Sequence, residues 1–427
     1  MKIAVLAYRL NGLDGIAKHV LLLSHALVDL GHEVDVWAVE YDPIHCFPDL
    51  TPGLNIHALR EPMPVTEAEK HAPAGRRMLA YLLELWNAYQ DQEHLFEALP
   101  RDYDVVNPLG DHVQWAAAAY KRRYGTPTVW MCDDFWPAAR QQDAENSTNL
   151  LSKLKGWAKN SFVYPVERYD QWTVHTMDRI AVLSERLQTQ MQEYYGVSST
   201  VVRTGIVTPE VTASAAKRPD DLFQLLTVCM FMPRRRIEDV LEAVHRLRQE
   251  GVNLHYTIVG RMDHTPAYTD FVQAEVARLQ LEERVTFTGE VTQEALANSF
   301  HACDAFVWPA DEGQSWGMAC MEAMACGKPV LVSKANGLAE VLEDGNNALL
   351  FEARNPQGLA ESIKRLMTDK TLRERIAAQG QRLVQDQYSW RHSAQALVSL
   401  YSDAQRQTRS HMSGPLSRLN SKLREND

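Results

Sequence analysis

The chain has 427 residues, 45% hydrophobic and 23% charged, which is the composition of a globular protein with about two domains. Its net charge of -11 argues against bulk attraction to nucleic acid, and no apolar run reaches the ~18–20 residues that span a bilayer. The six cysteines form no Cys-x-x-Cys pair, and the apolar run Met1–Ala7 lacks a cleavage site. We therefore expect a cytoplasmic protein without disulfides.

Short apolar runs alternate with helical stretches through residues 1–205. Lys2–Tyr8 predicts a strand, Ile16–Leu30 a helix, and Glu33–Val39 a second strand. This order of strand, helix and strand is the building unit of a parallel sheet. Residues 43–75 are rich in proline and are predicted to be loops. The same alternation predicts a helix at Val113–Arg123 and further strands at Asp104–Asn107, Thr128–Met131, Arg179–Leu183 and Thr200–Arg203.

A polar stretch over residues 206–221 predicts a linker, and the alternation starts again over 222–388. We expect α/β architecture, with residues 1–205 and 222–388 forming two tandem, doubly wound Rossmann-like domains and a ligand cleft between them. A helix over 389–406 is expected to return to the first domain, and residues 407–427 to form a poorly ordered polar tail. The predicted strands of the second domain are Leu222–Cys229, Leu254–Val259, Val285–Phe287, Ala305–Trp308 and Pro329–Ser333.

Two loops after predicted strands carry groups that suit phosphate. Gly12-Leu13-Asp14-Gly15 opens the first helix, where backbone N–H groups favour an anion, although its spacing is neither Gly-x-Gly-x-x-Gly nor that of a P-loop. Pro233-Arg234-Arg235-Arg236 places three arginines after the first strand of the second domain, as bidentate phosphate recognition requires. An ordinary strand-to-helix turn and a solvated basic turn are the respective alternatives.

The segment Asp311–Val330 combines a loop with a predicted helix from Trp316 to Cys326. Amides from Gly317 onward would face a diphosphate at the helix N-terminus. Glu322, about one turn further along, can accept hydrogen bonds from two vicinal ribose hydroxyls. Its neighbours are Met, Ala and Cys residues, among which a buried carboxylate without a partner would be costly.

One stretch closely resembles the donor-site motif of glycosyltransferase family 4, a family of retaining enzymes with the two-domain GT-B fold. It is Glu322-Ala323-Met324-Ala325-Cys326-Gly327-Lys328-Pro329-Val330. The resemblance implies a nucleoside diphosphate sugar as donor, bound mainly by the C-terminal domain. It also implies an acceptor on the side of the N-terminal domain, no cofactor and no metal. Weaker blocks that agree are the opening strand with its glycine loop, Gly31–Val34, Val285–Gly289, Asn336–Glu340 and Tyr388–Trp390.

The resemblance also assigns residues to roles, with three departures from the family pattern. Gln314 stands where the family has a second glutamate, so Gln314 or the nearby Glu312 is expected to face the donor sugar. Leu109 stands at the usual position of a histidine, and His112 is expected to take that role. Met230 replaces a usual arginine, for which Arg234 or Arg236 can compensate. The implied donor site comprises Gly15, Arg234, Arg235, Ser315, Gly317, Met318, Ala319 and Glu322.

The resemblance implies a metal-independent, hexosyltransferase-like enzyme, and it leaves the acceptor open, with a glycan or a lipid-linked glycan of the cell envelope as the setting usual in the family. The alternatives are a non-catalytic nucleotide-sugar-binding protein and a sugar-nucleotide epimerase on the same fold. A serine hydrolase is a remote alternative, because Gly313–Gly317 matches Gly-x-Ser-x-Gly. Apolar residues at helical spacing over 150–162, with lysines between them, fit either a helix at the inner membrane face or one that packs within the N-terminal domain.

Overall fold

A computed structural model describes residues 1–62, 74–110, 112–134, 164–210, 222–311 and 316–412. The chain divides into two compact units. The first unit comprises Met1–Leu183, Leu187–Arg203 and the segment from Trp390, and the second comprises Ser184–Arg186 and Thr204–Ser389. Among the described helices, none has the length and apolar character needed to traverse a bilayer.

The first unit alternates parallel strands with helices. Its elements are β1 Lys2–Leu10, α1 Gly15–Asp29, β2 Glu33–Tyr41, β3 Asn55–Arg60, α2 Ala74–Ala98, β4 Val105–Pro108, α3 Val113–Tyr124, β5 Val129–Cys132, α4 over 164–176, β6 Arg179–Val182, α5 Glu185–Tyr195, β7 Thr200–Val201 and, at the far end of the chain, α12 Trp390–Met412. One sheet has the order β3-β2-β1-β4 and the other β5-β6-β7. Parallel bridges from Val106 to Thr128 and from Leu109 to Met131 join the two sheets, so the strands follow a Rossmann-type order.

The sequence explains why β1 and α1 begin this unit. Residues Ile3–Ala7 are fully buried, as expected for a central strand with helices on both faces. The Asp14 carboxylate then accepts a hydrogen bond from the Ala17 N–H at 2.8 Å and so caps the N-terminus of α1. The glycine loop therefore turns directly from the carboxyl end of β1 into a helix.

Parts of this unit differ from the sequence prediction. Strand β3 lies inside the proline-rich region that was predicted to be loops, and α2 follows in a region without a predicted helix. Strand β3 is only partly buried, so its sequence lacks a strong apolar signal. Helix α12 continues past residue 406, and Gln407 accepts a hydrogen bond from Arg179. The predicted disorder is therefore wrong for residues 407–412, whereas 413–427 lie outside the described residues.

The second unit is a single six-stranded parallel sheet with the order β10-β9-β8-β11-β12-β13. Its elements are β8 Phe223–Val228, a 3-10 turn Pro233–Arg235, α6 Ile237–Gln249, β9 Leu254–Val259, α7 Pro266–Arg278, β10 Val285–Gly289, α8 Gln293–Ala302, β11 Ala305–Trp308, α9 Met318–Ala325, β12 Val330–Ser333, a 3-10 turn Gly337–Val341, β13 Leu349–Phe351, α10 Pro356–Thr368 and α11 Lys370–Gln387. The strand order reverses between β8 and β11, which is the position where open α/β sheets bind ligands. Residues 211–221, most of the predicted linker, lie outside the described ranges.

Candidate functional site

Main-chain hydrogen bonds tie together the loops at the carboxyl ends of β8, β9 and β11. The Phe231 N–H donates to the Arg261 carbonyl, and the Asp311 N–H donates to the Arg234 carbonyl, each at 2.9 Å. Gly260 permits the close approach of the first two loops, because a Cβ atom there would lie 2.0 Å from the Cys229 carbonyl oxygen. Three loops of the second unit therefore form one continuous edge at the switch point of the sheet.

Arg235 is held at this edge by an aromatic ring. Its guanidinium carbon lies 4.9 Å from the ring centroid of Trp308, the last residue of β11. Trp308 is only 4% exposed, so the ring is fixed by the core beneath it. A cation over an indole face is attracted by the ring quadrupole, which restricts where the guanidinium can go.

The N-terminus of α9 meets the same ring. A Cβ atom on Gly317, the residue that precedes the helix, would lie 3.1 Å from the indole nitrogen of Trp308. The first N–H groups of a helix have no partner within the helix and carry partial positive charge, and here they belong to Met318 and Ala319. The structure therefore brings two predicted donor-site residues, Arg235 and Gly317, to one buried indole, and two more, Met318 and Ala319, follow Gly317 in the first turn of α9.

Glu322 lies one turn into α9 and is 5% exposed. Burial and then the negative charge of Glu322 raise the pKa of Cys326 to about 12, while Lys328 opposes the shift. The carboxylate thus occupies the buried position that the sequence predicted, just behind the helix N-terminus.

More positive charge lies along the loops after β8 and β9. Partial burial and the charges of Arg261, Arg234 and Arg235 lower the pKa of His264, and Asp263 acts in the opposite direction. Arg261 also pairs with Asp263 at 2.7 Å. The edge therefore gathers arginines from two loops around a histidine, which suits a polyanionic ligand.

Two other arginines near this edge pair with carboxylates. Arg236 adopts left-handed backbone geometry with φ of 51° and pairs with Glu238 and Asp239, both at 2.8 Å. Arg354 donates to the buried Asp311 at 2.6 and 2.9 Å. Of the two arginines that can compensate for Met230, Arg236 is thus paired with carboxylates at the start of α6.

The first unit places Gly15 and His112 on neighbouring loops. Gly15 is the first residue of α1, and a Cβ atom on Gly110 would lie 3.6 Å from the Ile16 side chain, so the loop after β4 contacts the start of α1. His112 precedes α3 with a left-handed φ of 67°, a strained conformation of the kind found at functional sites. Leu109 is 1% exposed and its N–H donates to the Leu6 carbonyl, so the family's histidine position is filled by a core residue.

Several predicted residues fall outside the described residues. These are Glu312, Gln314, Ser315 and the segment 150–162. Strand β11 ends at Trp308, and Pro309–Asp311 follow it. A hydrolase elbow requires a strand that leads straight into the serine, whereas β11 ends at Trp308, so the described residues do not support that alternative. In the described ranges there is no cluster of three or more His, Cys, Asp or Glu side chains suited to a metal ion.

This edge also contains four residues that the sequence did not assign to it: Trp308, Arg261, His264 and Asp311. Trp308 was recognised only as the end of a strand, and nothing in the sequence shows that Arg235 and Gly317 share its ring. Arg261 did carry a usable signal, because it follows the second strand of its sheet as Arg234 and Arg235 follow the first.

Comparison with known proteins gives two family matches that adjoin along the chain. Residues 13–210 match Glycosyltransferase Family 4, and residues 211–383 match Glycosyl transferases group 1. The D-inositol 3-phosphate glycosyltransferase of Streptomyces bingchenggensis (strain BCW-1) is 26% identical over 332 residues, which is 72% of this chain and 68% of that protein. The glycogen synthase of Mycobacterium tuberculosis (strain CDC 1551 / Oshkosh) is 25% identical over 408 residues, which is 92% of each.

A solved structure has the same fold. Anabaena Alr3699/HepE, in complex with UDP and glucose, superposes with a TM-score of 0.67 at 16% identity, and the match covers 94% of this chain and 99% of that one. At this identity the likeness establishes the fold alone. The two family matches, the relatives and the shared fold agree: the chain belongs to the group 1, family 4 glycosyltransferases and has their two-domain GT-B fold.

Proposed function

We propose that the protein transfers a hexose from a nucleoside diphosphate sugar to a hydroxyl group of a glycan or lipid-linked glycan, with retention of the anomeric configuration. One observation carries the donor assignment. Arg235 and the N-terminus of α9 lie against the same Trp308 ring, so a cation and helix N–H groups converge at the switch point. A diphosphate suits this combination of groups. The UDP in the HepE complex supports the same assignment.

In this proposal the second unit stabilises the leaving group. The Met318 and Ala319 N–H groups, with Arg235 and Ser315, bind the diphosphate, and Arg234 adds charge beside them. Glu322 accepts hydrogen bonds from the ribose hydroxyls. These positive groups are already in place where negative charge develops, so they lower the barrier without a metal ion. No metal is therefore required in this proposal.

The reaction forms one bond and breaks one at the anomeric carbon. The acceptor oxygen bonds to that carbon on the face from which the diphosphate leaves, and the bond to the diphosphate oxygen breaks. The nucleoside diphosphate takes the electron pair, and the acceptor's hydroxyl proton passes to it. We assign contacts with the transferred sugar to His112, Gln314 and Glu312, and a backbone approach to the diphosphate to Gly15.

The relatives guide the acceptor proposal. Their names specify inositol 3-phosphate and glycogen, which are both rich in hydroxyl groups. We propose that this chain likewise uses a polyhydroxylated acceptor. All six cysteines are free thiols, which supports work in the reducing cytoplasm, at the inner face of the membrane if the acceptor is lipid-linked.

The test is a transfer assay with UDP-, GDP- and ADP-sugars, a panel of glycan acceptors and a chelator. We expect nucleotide release that depends on acceptor, survives the chelator, and gives a product with the donor's anomeric configuration by NMR. Inversion, or loss of activity with the chelator, would refute the mechanism. Donor binding without any nucleotide release would favour the non-catalytic alternative, and a changed donor sugar without acceptor would favour the epimerase.

A further inference from the structure

The first unit carries a continuous row of aromatic rings at its surface. Trp86 contacts Tyr89 with ring centroids 5.9 Å apart, Tyr89 contacts Tyr169 at 5.9 Å, and Tyr169 contacts Trp172 at 5.6 Å. The two tryptophans at the ends are 60% and 41% exposed, and the tyrosines between them are partly buried. We call these four residues, two from α2 and two from α4, the aromatic platform.

The platform is connected to the loop that carries His112. Tyr169 packs edge-on against Trp115 at 5.3 Å, and Trp115 packs edge-on against His112 at 5.0 Å. Asp170 fixes this connection, because it accepts hydrogen bonds from the Trp115 indole at 3.0 Å and from the Gln114 amide at 2.8 Å. The platform therefore starts at the surface and leads, ring by ring, to the carboxyl end of β4.

The chemistry of the platform suits a saccharide. Trp and Tyr present flat apolar faces with polar edges, and the C–H faces of pyranose rings stack on such surfaces while their hydroxyls seek hydrogen bonds. Ligand sites typically combine aromatic walls with a few placed polar groups. Here Glu93 is a hydrogen-bond partner of Tyr89, and burial, followed by the charge and hydrogen bond of Glu93, raises the pKa of that tyrosine. A carboxylate beside an aromatic face can accept hydrogen bonds from sugar hydroxyls.

The other classes of occupant fit less well. An anionic lipid surface calls for a basic rim. Here, beyond the effect of burial, the Glu93 carboxylate raises the pKa of Tyr169 and the Arg122 guanidinium lowers it, so charges of both signs lie near the platform. The chain also carries a net charge of -11. Aromatic side chains are enriched at protein interfaces too, and what favours a saccharide here is the ring-to-ring link from the platform to His112.

We propose that the aromatic platform binds the saccharide chain of the acceptor, with the sugar that receives the transferred hexose nearest His112. The inference deepens the proposed function, since it names the acceptor class and the surface that binds it. The exposed tryptophans at the ends bind the more distant sugars by stacking, so they set affinity for longer chains and leave the donor site untouched.

The experiment measures binding of the full-length protein to immobilised oligosaccharides, α- and β-linked hexose chains of increasing length. The wild type is compared with Trp86→Ala, Trp172→Ala and the double variant. Phe271→Ala is the control, because Phe271 is exposed to a similar extent, 44%, on a helix of the second unit. Both tryptophans are exposed, so their removal should leave the thermal unfolding midpoint close to that of the wild type.

We expect the wild type and Phe271→Ala to bind at least one chain type, more tightly as the chain lengthens, and each tryptophan variant to lose about tenfold in affinity. No binding to any chain, or equal binding by the tryptophan variants, would overturn the proposal. Binding to phosphatidylglycerol vesicles that the tryptophan variants lose, without saccharide binding, would assign the platform to a membrane instead. Donor titrations run in parallel show separately whether the proposed function stands.

Discussion

Arg235 and Gly317 lie beside the same indole ring although 82 residues separate them in the chain. The Arg235 guanidinium is 4.9 Å from the Trp308 centroid, and a Cβ atom on Gly317 would lie 3.1 Å from the indole nitrogen. Trp308 thus fixes a cation and a helix N-terminus relative to each other. Both are groups that a diphosphate would bind. The geometry of the proposed donor site therefore depends on Trp308, a residue to which the proposal assigns no contact with the ligand.

Replacing Trp308 should weaken donor binding through Arg235. Loss of a cation–π contact, about 0.5–2 kcal/mol, predicts that Trp308→Leu raises the Kd for the nucleotide sugar by roughly two- to thirtyfold. Trp308→Phe retains an aromatic face and should lose less affinity for the nucleotide sugar. Isothermal titration measures all three proteins, and an unchanged Kd in a folded Trp308→Leu variant would show that the ring does not position Arg235.

Gly317→Ala should disturb the N-terminus of α9. The added methyl group would lie 3.1 Å from the Trp308 indole nitrogen, so the helix start or the ring must shift. We expect a loss of about 1 kcal/mol in the free energy of unfolding and about tenfold weaker donor binding. The wild type is the reference in both measurements. An unchanged donor affinity in a folded Gly317→Ala variant would contradict this role of Gly317.

Glu322→Ala should remove the ribose contact and leave the fold intact. Loss of hydrogen bonds to a charged group, about 1.5–3 kcal/mol, predicts a rise of roughly ten- to a hundredfold in the Kd of a ribonucleotide. A 2′,3′-dideoxynucleotide should bind the wild type and the variant almost equally. If the variant instead loses affinity for both nucleotides alike, the assignment of Glu322 to the ribose is wrong.

The sequence was sufficient to predict the class of fold but not the platform or the shared indole, and its assignment of the donor segment stays a prediction. The alternation of apolar runs with helices reveals the parallel strands because each buried strand is a local signal. The link between Arg235 and Gly317 depends on β8 and β11 becoming neighbours, which is a property of strand order. Helix α2 escaped prediction because it begins at Ala74, at the end of the region 43–75 whose prolines indicate loops. Tyr89 contacts Tyr169 only after both helices have packed.

Donor binding should be linked to proton uptake at His264. Partial burial and three arginines hold its pKa below the ordinary value of 6.5, so the imidazole is neutral near pH 7. An anionic diphosphate among those arginines would raise that pKa. Between the lower pKa of the free protein and the higher pKa of the complex, binding takes up a proton, and affinity therefore rises as pH falls through this window.

Calorimetry in buffers of different ionisation enthalpy measures this uptake directly, with a nucleotide sugar whose phosphates stay ionised throughout. His264→Gln should abolish the uptake. The control is His255→Gln. His255 also has a lowered pKa, but it lies near the start of β9, at the opposite edge of the sheet, so this variant should retain the proton uptake. Equal proton uptake by His264→Gln and wild type would exclude His264 as the group that titrates.

The most direct test of the donor site is the thermal unfolding midpoint of the protein titrated with UDP-, GDP- and ADP-sugars, since a ligand that binds only the folded state raises that midpoint. The wild type is compared with Arg235→Met and with Arg246→Met, an exposed arginine of α6 whose partner is Glu242 in the same helix. We predict that one nucleotide raises the midpoint of the wild type and of Arg246→Met but raises that of Arg235→Met far less. No shift with any nucleotide, or an equal shift in all three proteins, would contradict a donor site built around Arg235.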